Sequence, residues 1–227
     1  MTDAPSTLPA PVLPAADRAL LLDWLAGLLT LEPDAETVAL LAGEEGDQVM
    51  SDLADYPGLD REAVALVEAL RKVRAEEGSD AGAALALAGT FGTLFLGAGT
   101  KSKVAHPYAS VYRDGGRTHG ETTDRAAAFL ARNDLDLAEG LNEPADHVGV
   151  LLAALAALAE REAEEEEEGD LAAAATSAAE QAQFTAEEML PWFPQFRERV
   201  EAADPRGVYA AAARLTEWML KGMGSGA

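Results

Sequence analysis

The chain contains no cysteine, which excludes disulfides, thiolate metal sites, iron–sulfur ligation by its own side chains and a cysteine nucleophile. Histidine is nearly as scarce: His106, His119 and His147 are the only three. None lies at His-x-x-x-His or His-Glu-x-x-His spacing, so a zinc hydrolase has no footing. Aromatics are only 6% of the residues, and 17 basic side chains face 40 acidic ones, for a formal charge of −23. A contiguous basic patch for nucleic acid or anionic lipid is therefore not expected. No apolar run approaches the ~18 uncharged residues of a membrane span. The first residues, Met1 to Pro9, show neither the basic start nor the apolar stretch of an export signal. These absences lead to the expectation of a soluble, cytoplasmic protein that carries no metal and no cofactor.

What the chain does have is helical periodicity. Hydrophobic residues make up 48%, too many for a disordered chain, and alanine dominates them, as suits closely packed helices. Pro5, Pro9, Pro11 and Pro14 mark residues 1–16 as a flexible arm. Asp17 is placed to cap a stripe of Leu21, Leu22, Leu25, Leu28 and Leu29, and Asp34 to cap a short helix reaching Leu41. Further helices are predicted over 47–55, from Asp60 with Val64, Leu66, Val67 and Leu70 inward, and over 80–96. Residues 97–117 show no helical pattern. Then come 120–132, a long helix over 143–168 capped by Asn142 with Pro144 in its first turn, 170–190, 196–203 and a last helix opened by Asp204-Pro205. The acidic run Glu164 to Glu168 opposes a helix C-terminus and predicts fraying there. The predicted class is all-α, about nine to ten helices in one domain over 17–221 or in two closely packed lobes, followed by a flexible tail at 222–227. No strand alternation and no internal repeat is visible.

Most chemical motifs fail on inspection. The glycine-rich piece from Gly97 to Ser102 lacks the glycine before lysine and the preceding strand that a phosphate loop needs. Ser110 has no nucleophile elbow around it and no identifiable base. The acidic run reads as a solvated helix end. No catalytic residue is assigned, and the chain is read as a non-enzyme.

Three segments remain. Phe91, Leu94 and Phe95 share one helical face, Pro107-Tyr108-Ala-Ser-Val-Tyr112 puts two aromatics in an irregular loop, and Glu143-Pro-Ala-Asp146-His147 sets acids and an imidazole at a helix start. Taken singly, each has a bland explanation: an apolar stripe is usually core, and an acid in a first turn meets the helix dipole favourably.

Taken together and in order, with His119-Gly-Glu-Thr between them and Met189-Leu-Pro-Trp-Phe-Pro-Gln-Phe196 behind, they resemble the TorD/DmsD/NarJ family of redox-enzyme maturation chaperones over about residues 17–221. The resemblance implies a cytoplasmic helical chaperone that binds the apoprotein of a molybdenum-cofactor oxidoreductase, commonly through its twin-arginine signal peptide, before export. It also implies a signal-peptide site at Phe91, Leu94, Phe95, Pro107, Tyr108, Asp146 and His147. The chemistry agrees, since carboxylates suit arginines and an aromatic-lined groove suits the apolar segment that follows them. Asp146 is assigned to the arginines with Glu143 as a second candidate, Phe91, Leu94, Phe95 and Tyr108 to the pocket wall, and His147 to a hydrogen bond near the peptide backbone. Ala109 and Leu151 stand where many members carry other residues, glutamate in the second case. The alternative is a NarJ-like assembly factor for a molybdoenzyme subunit that is not exported. The chain is expected as a monomer or a swapped dimer.

Overall fold

A computed structural model describes residues 13–56, 58–98, 104–136 and 142–224. The first part of the expected arm, most of the glycine-rich segment and the last residues of the tail lie outside them. The described residues form eleven α-helices and a π-helical turn: α1 Ala15–Thr30, α2 Ala35–Ala42, α3 Glu44–Asp52, α4 Leu59–Glu77, α5 Asp80–Leu94, α6 Ala109–Arg113, α7 Glu121–Arg132, α8 Val148–Glu168, α9 Leu171–Phe184, the π turn Thr185–Met189, α10 Phe193–Ala203 and α11 Val208–Gly224. The all-α class stands, and the helix beyond the expected number is α6, a single turn inside the segment that showed no helical pattern.

Helices α1, α8 and α9 lie side by side, α2, α4 and α5 pack on one another, and α11 runs between the two groups against α4, α10 and α1. The buried side chains of both groups form one contiguous core. Gly149 makes the α1–α8 approach possible, because a Cβ there would fall 1.7 Å from Thr30 Oγ1 and 2.9 Å from the Ala26 carbonyl oxygen. The few aromatics are concentrated where α5, α10 and α11 meet. Phe95 packs edge-on to Phe91 and Tyr209, at 5.0 and 5.4 Å between ring centres, and stacks on Phe196 at 6.1 Å. The Tyr209 hydroxyl donates to the Leu87 carbonyl at 3.2 Å, so this buried phenol keeps a partner.

Buried charge is paired. Arg18 on α1 donates to Glu162 on α8 at 2.5 Å, to Gln181 on α9 at 3.2 Å and to the Leu13 carbonyl at 2.9 Å. That last bond, with Leu13 and Ala15 buried, ties residue 13 into the body of the protein. A buried guanidinium is tolerated only with such a complete set of acceptors.

Several helix ends differ from the sequence reading. Asp34 does cap α2, accepting from the Thr37 amide at 2.8 Å. By contrast α1 begins two residues before Asp17 and has no side-chain cap. Val64 points outward, 42% exposed, while Leu66, Val67 and Leu70 are buried. The largest difference is α8, which starts at Val148 instead of 143, with His147 as its cap residue and Asn142 exposed outside it. At its other end α8 stays helical through Glu168. Gly169 takes a left-handed φ of 81°, and the Asp170 amide donates back to the Glu165 carbonyl at 2.9 Å. That closure satisfies a terminal carbonyl and holds the turn against the acidic repulsion. At the other end of the chain, α11 continues through Gly224 with Met223 buried.

Candidate functional site

The site expected around Asp146 and His147 is a junction of four segments. Residues 104–108 run extended beside the end of α5, held by the Ala105 amide on the Leu94 carbonyl at 2.7 Å. The same segment then pairs with residues 146–148. The Ala109 amide donates to the Asp146 carbonyl at 3.0 Å and the Val148 amide to the Pro107 carbonyl at 2.7 Å, an isolated antiparallel bridge between Tyr108 and His147. Pro107 has no N–H and lends only its carbonyl here. The bridge fixes where α6 and α8 begin.

Side chains complete the junction. Asp146 is 1% exposed, and both of its carboxylate oxygens are occupied. Oδ2 accepts from the Ser110 amide at 2.9 Å and Oδ1 from the Thr123 hydroxyl at 2.9 Å. Asp146 thus joins α6, α7 and the head of α8 from within. His147, 3% exposed, turns its Nδ1 to accept from the Gly149 amide at 3.2 Å. Burial holds its pKa below the ordinary histidine value, against the opposing pull of the Glu143 and Asp146 charges. The ring is therefore neutral with its proton on Nε2.

Tyr108 and Glu143 make the accessible edge. Both are half-buried, and the phenol donates to Glu143 Oε2 at 3.0 Å. Burial, then that carboxylate, pushes the Tyr108 pKa up to about 12, so the phenol remains a donor at any ordinary pH. Its ring meets the His147 imidazole edge-on at 5.4 Å.

The expected residues divide accordingly. Pro107, Tyr108, Glu143, Asp146 and His147 do come together. Phe91, Leu94 and Phe95, expected to wall a groove, are 4%, 0% and 3% exposed and belong to the core. Leu151 and Ala109, which depart from the pattern the resemblance suggested, are both 1% exposed, and an acid at Leu151 would have to be buried. The sequence reading missed Thr123 and Gly149. A repeated threonine at the head of α7 is too common a helix start to have flagged the first. The second shows only as a glycine three residues after an acid at a helix N-terminus. Ser110 Oγ is buried without a partner, and the nearby His147 Nδ1 is already engaged, so the two do not form a nucleophile and base.

Residues 53–198 match the family model for the nitrate reductase delta subunit. A chaperone protein TorD from Vibrio cholerae is 35% identical over 198 residues, covering 87% of this chain and 86% of its own. Another from Aliivibrio fischeri is 31% identical over 205 residues, covering 90% and 91%. The chain belongs to this TorD/NarJ family. A solved chain from Archaeoglobus fulgidus, described as a candidate redox enzyme maturation protein, covers 88% of this chain and 92% of its own, at 19% identity and a TM-score of 0.48. The junction around Asp146 falls inside the stretch the family model matches. Among the described residues, no helix is long and apolar enough to cross a membrane.

Proposed function

We propose that the protein is a cytoplasmic, non-enzymatic chaperone for the apoprotein of a molybdenum-cofactor oxidoreductase, engaging its arginine-pair leader before export. One observation carries the reading: similarity to chaperones named TorD across nearly nine-tenths of the chain. The junction supplies the chemistry. Tyr108 and Glu143 offer a phenol, an apolar ring and a carboxylate on an accessible edge. An extended peptide with a cationic start can use all three. Asp146 and His147 are proposed to serve by position, holding that edge at the head of α8, while Pro107 sets the path of the strand-like segment. Phe91, Leu94 and Phe95 would support the edge from the core through the end of α5.

The test is calorimetric titration of the purified chain with the leader peptide of the molybdoenzyme encoded beside it. Glu143→Gln with Tyr108→Phe should weaken binding by about tenfold, with helicity intact by circular dichroism. Unchanged affinity would move the leader away from this edge. A second reading is favoured by the matched family description itself, a delta subunit of nitrate reductase. In that reading the chain assembles an enzyme whose terminus has no export leader, and the neighbouring enzyme's N-terminus would lack two adjacent arginines.

A further inference from the structure

A groove between α7 and the α9–π segment already holds two of the protein's own guanidinium groups in the two ways proteins bind such groups. Its volume is about 350 Å³. The floor is the stacked pair Phe129 and Phe184, 3.7 Å between ring centres. On one wall, Arg125 Nε meets both oxygens of Glu188, at 3.0 and 3.2 Å, and Arg113 from α6 donates to the same carboxylate. Two turns along α7, the Arg132 guanidinium lies over the Phe129 ring, 5.3 Å from its centre. The facing wall carries Glu180 and Glu187. Among the described residues neither has a cationic partner, and Glu187 accepts only from Gln183 at 3.2 Å.

Acidic side chains are abundant on this protein, so carboxylates alone would mean little. The groove differs in combining them with an aromatic floor, both partners a guanidinium seeks. It also differs from Asp146, whose oxygens are buried and spent. Arg125 and Arg132 are both exposed and can swing to water at little cost.

We propose that this groove receives the arginine pair of the basic leader, with Arg125 and Arg132 as internal occupants that give way to it. The inference rests on the reading that the chain binds such a leader. It places the arginines here, away from the Tyr108–Glu143 edge. One incoming guanidinium replaces Arg125 between Glu188 and Glu187. The other replaces Arg132 over Phe129, within reach of Glu180. The groove's own arginines make it a self-occupied site, so a ligand must carry guanidinium groups able to exchange with them.

The test is fluorescence anisotropy with two synthetic leader peptides, one carrying the adjacent arginines and one with both replaced by glutamine. Glu180→Gln with Glu187→Gln should weaken the arginine peptide by about tenfold and leave the glutamine peptide unmoved. Arg132→Ala should tighten the arginine peptide by about two- to fivefold, because it removes the internal competitor. Lys72→Ala on α4, the same charge change elsewhere, should not. Wild-type binding that the groove variants leave unchanged overturns the groove and spares the chaperone reading. An Arg132→Ala chain that binds more weakly overturns the exchange. A wild-type chain that binds neither peptide overturns both the groove and the leader reading.

Discussion

Thr123 gives its hydroxyl to the Asp146 carboxylate at 2.9 Å, joining the first turn of α7 to the residue just before the cap of α8. The other carboxylate oxygen holds the Ser110 amide at the same distance, 2.9 Å. One buried acid thus sets the relative position of three helix starts, and its removal should be felt in stability before binding. Asp146→Ala leaves two buried donors without acceptors and should cost about 3 kcal/mol, with Thr123→Val costing about 1–2 kcal/mol. Urea unfolding measures both; an Asp146→Ala chain as stable as wild type would show that the junction is held by its backbone bridge alone.

His147 should make the junction sensitive to mild acid. Burial, listed against the opposing Glu143 and Asp146 charges, keeps its folded pKa below the ordinary value. The unfolded chain then binds more protons in that window, so stability is full above the ordinary histidine pKa and falls as pH drops below it. Protonating Nδ1 also removes the acceptor of the Gly149 amide. Imidazole proton NMR should find His147 titrating below the ordinary value, and His147→Asn should flatten thermal stability between about pH 7 and about pH 5. A His147 signal titrating above the ordinary value contradicts the buried neutral ring.

Gly149→Ala should prise α8 from α1. The added methyl lands on Thr30 Oγ1 and the Ala26 carbonyl, and a backbone carbonyl cannot rotate away. The cost expected is about 1–3 kcal/mol. Thr30→Ala in the same chain should recover only part of it, and a double-mutant cycle on urea midpoints reads the coupling. Full recovery would mean that the side chain alone sets the spacing.

Strong acid acts elsewhere. Burial pushes the pKa of Glu62 upward, but Arg214 and Arg61 more than offset it, and Glu217 is likewise held below its ordinary value by Lys221 and Arg197. With both folded pKa values depressed, their contribution is present above the ordinary glutamate range and is lost as pH falls through the folded values. These pairs fasten α11 to α4 and α10. The slope of stability between about pH 4.5 and about pH 3 should flatten in Glu62→Gln with Glu217→Gln. A slope identical to wild type would place the acid-labile groups elsewhere.

The helical class and most helix positions were legible because an apolar stripe at 3.6-residue spacing reports burial directly. Leu21, Leu22, Leu25, Leu66 and Leu70 are examples. Val64 was misplaced because it lies at the margin of its stripe, where periodicity does not say how far the neighbouring helix reaches. The start of α8 was missed for a different reason. Asn142 and Pro144 carry good local start signals, yet the bridge from Pro107 and Tyr108 holds the backbone extended up to His147. A contact 36 residues away in sequence overrides a local preference. The same limit applies to the site: spacing brought Tyr108, Glu143, Asp146 and His147 into view, but it could not tell an exposed carboxylate from a buried one.

The π turn at Thr185–Met189 carries one more residue than an α-helical path of the same rise. That surplus turns Glu188 toward Arg113 and Arg125 and lets the Trp192 indole reach the Glu188 carbonyl at 2.7 Å. Deleting Ala186 would restore an ordinary helix and swing everything beyond it by about 100° around the axis. Length at this point is therefore as constrained as composition. A chain shortened here by one residue could keep every side chain named above and still aim Glu188 at water.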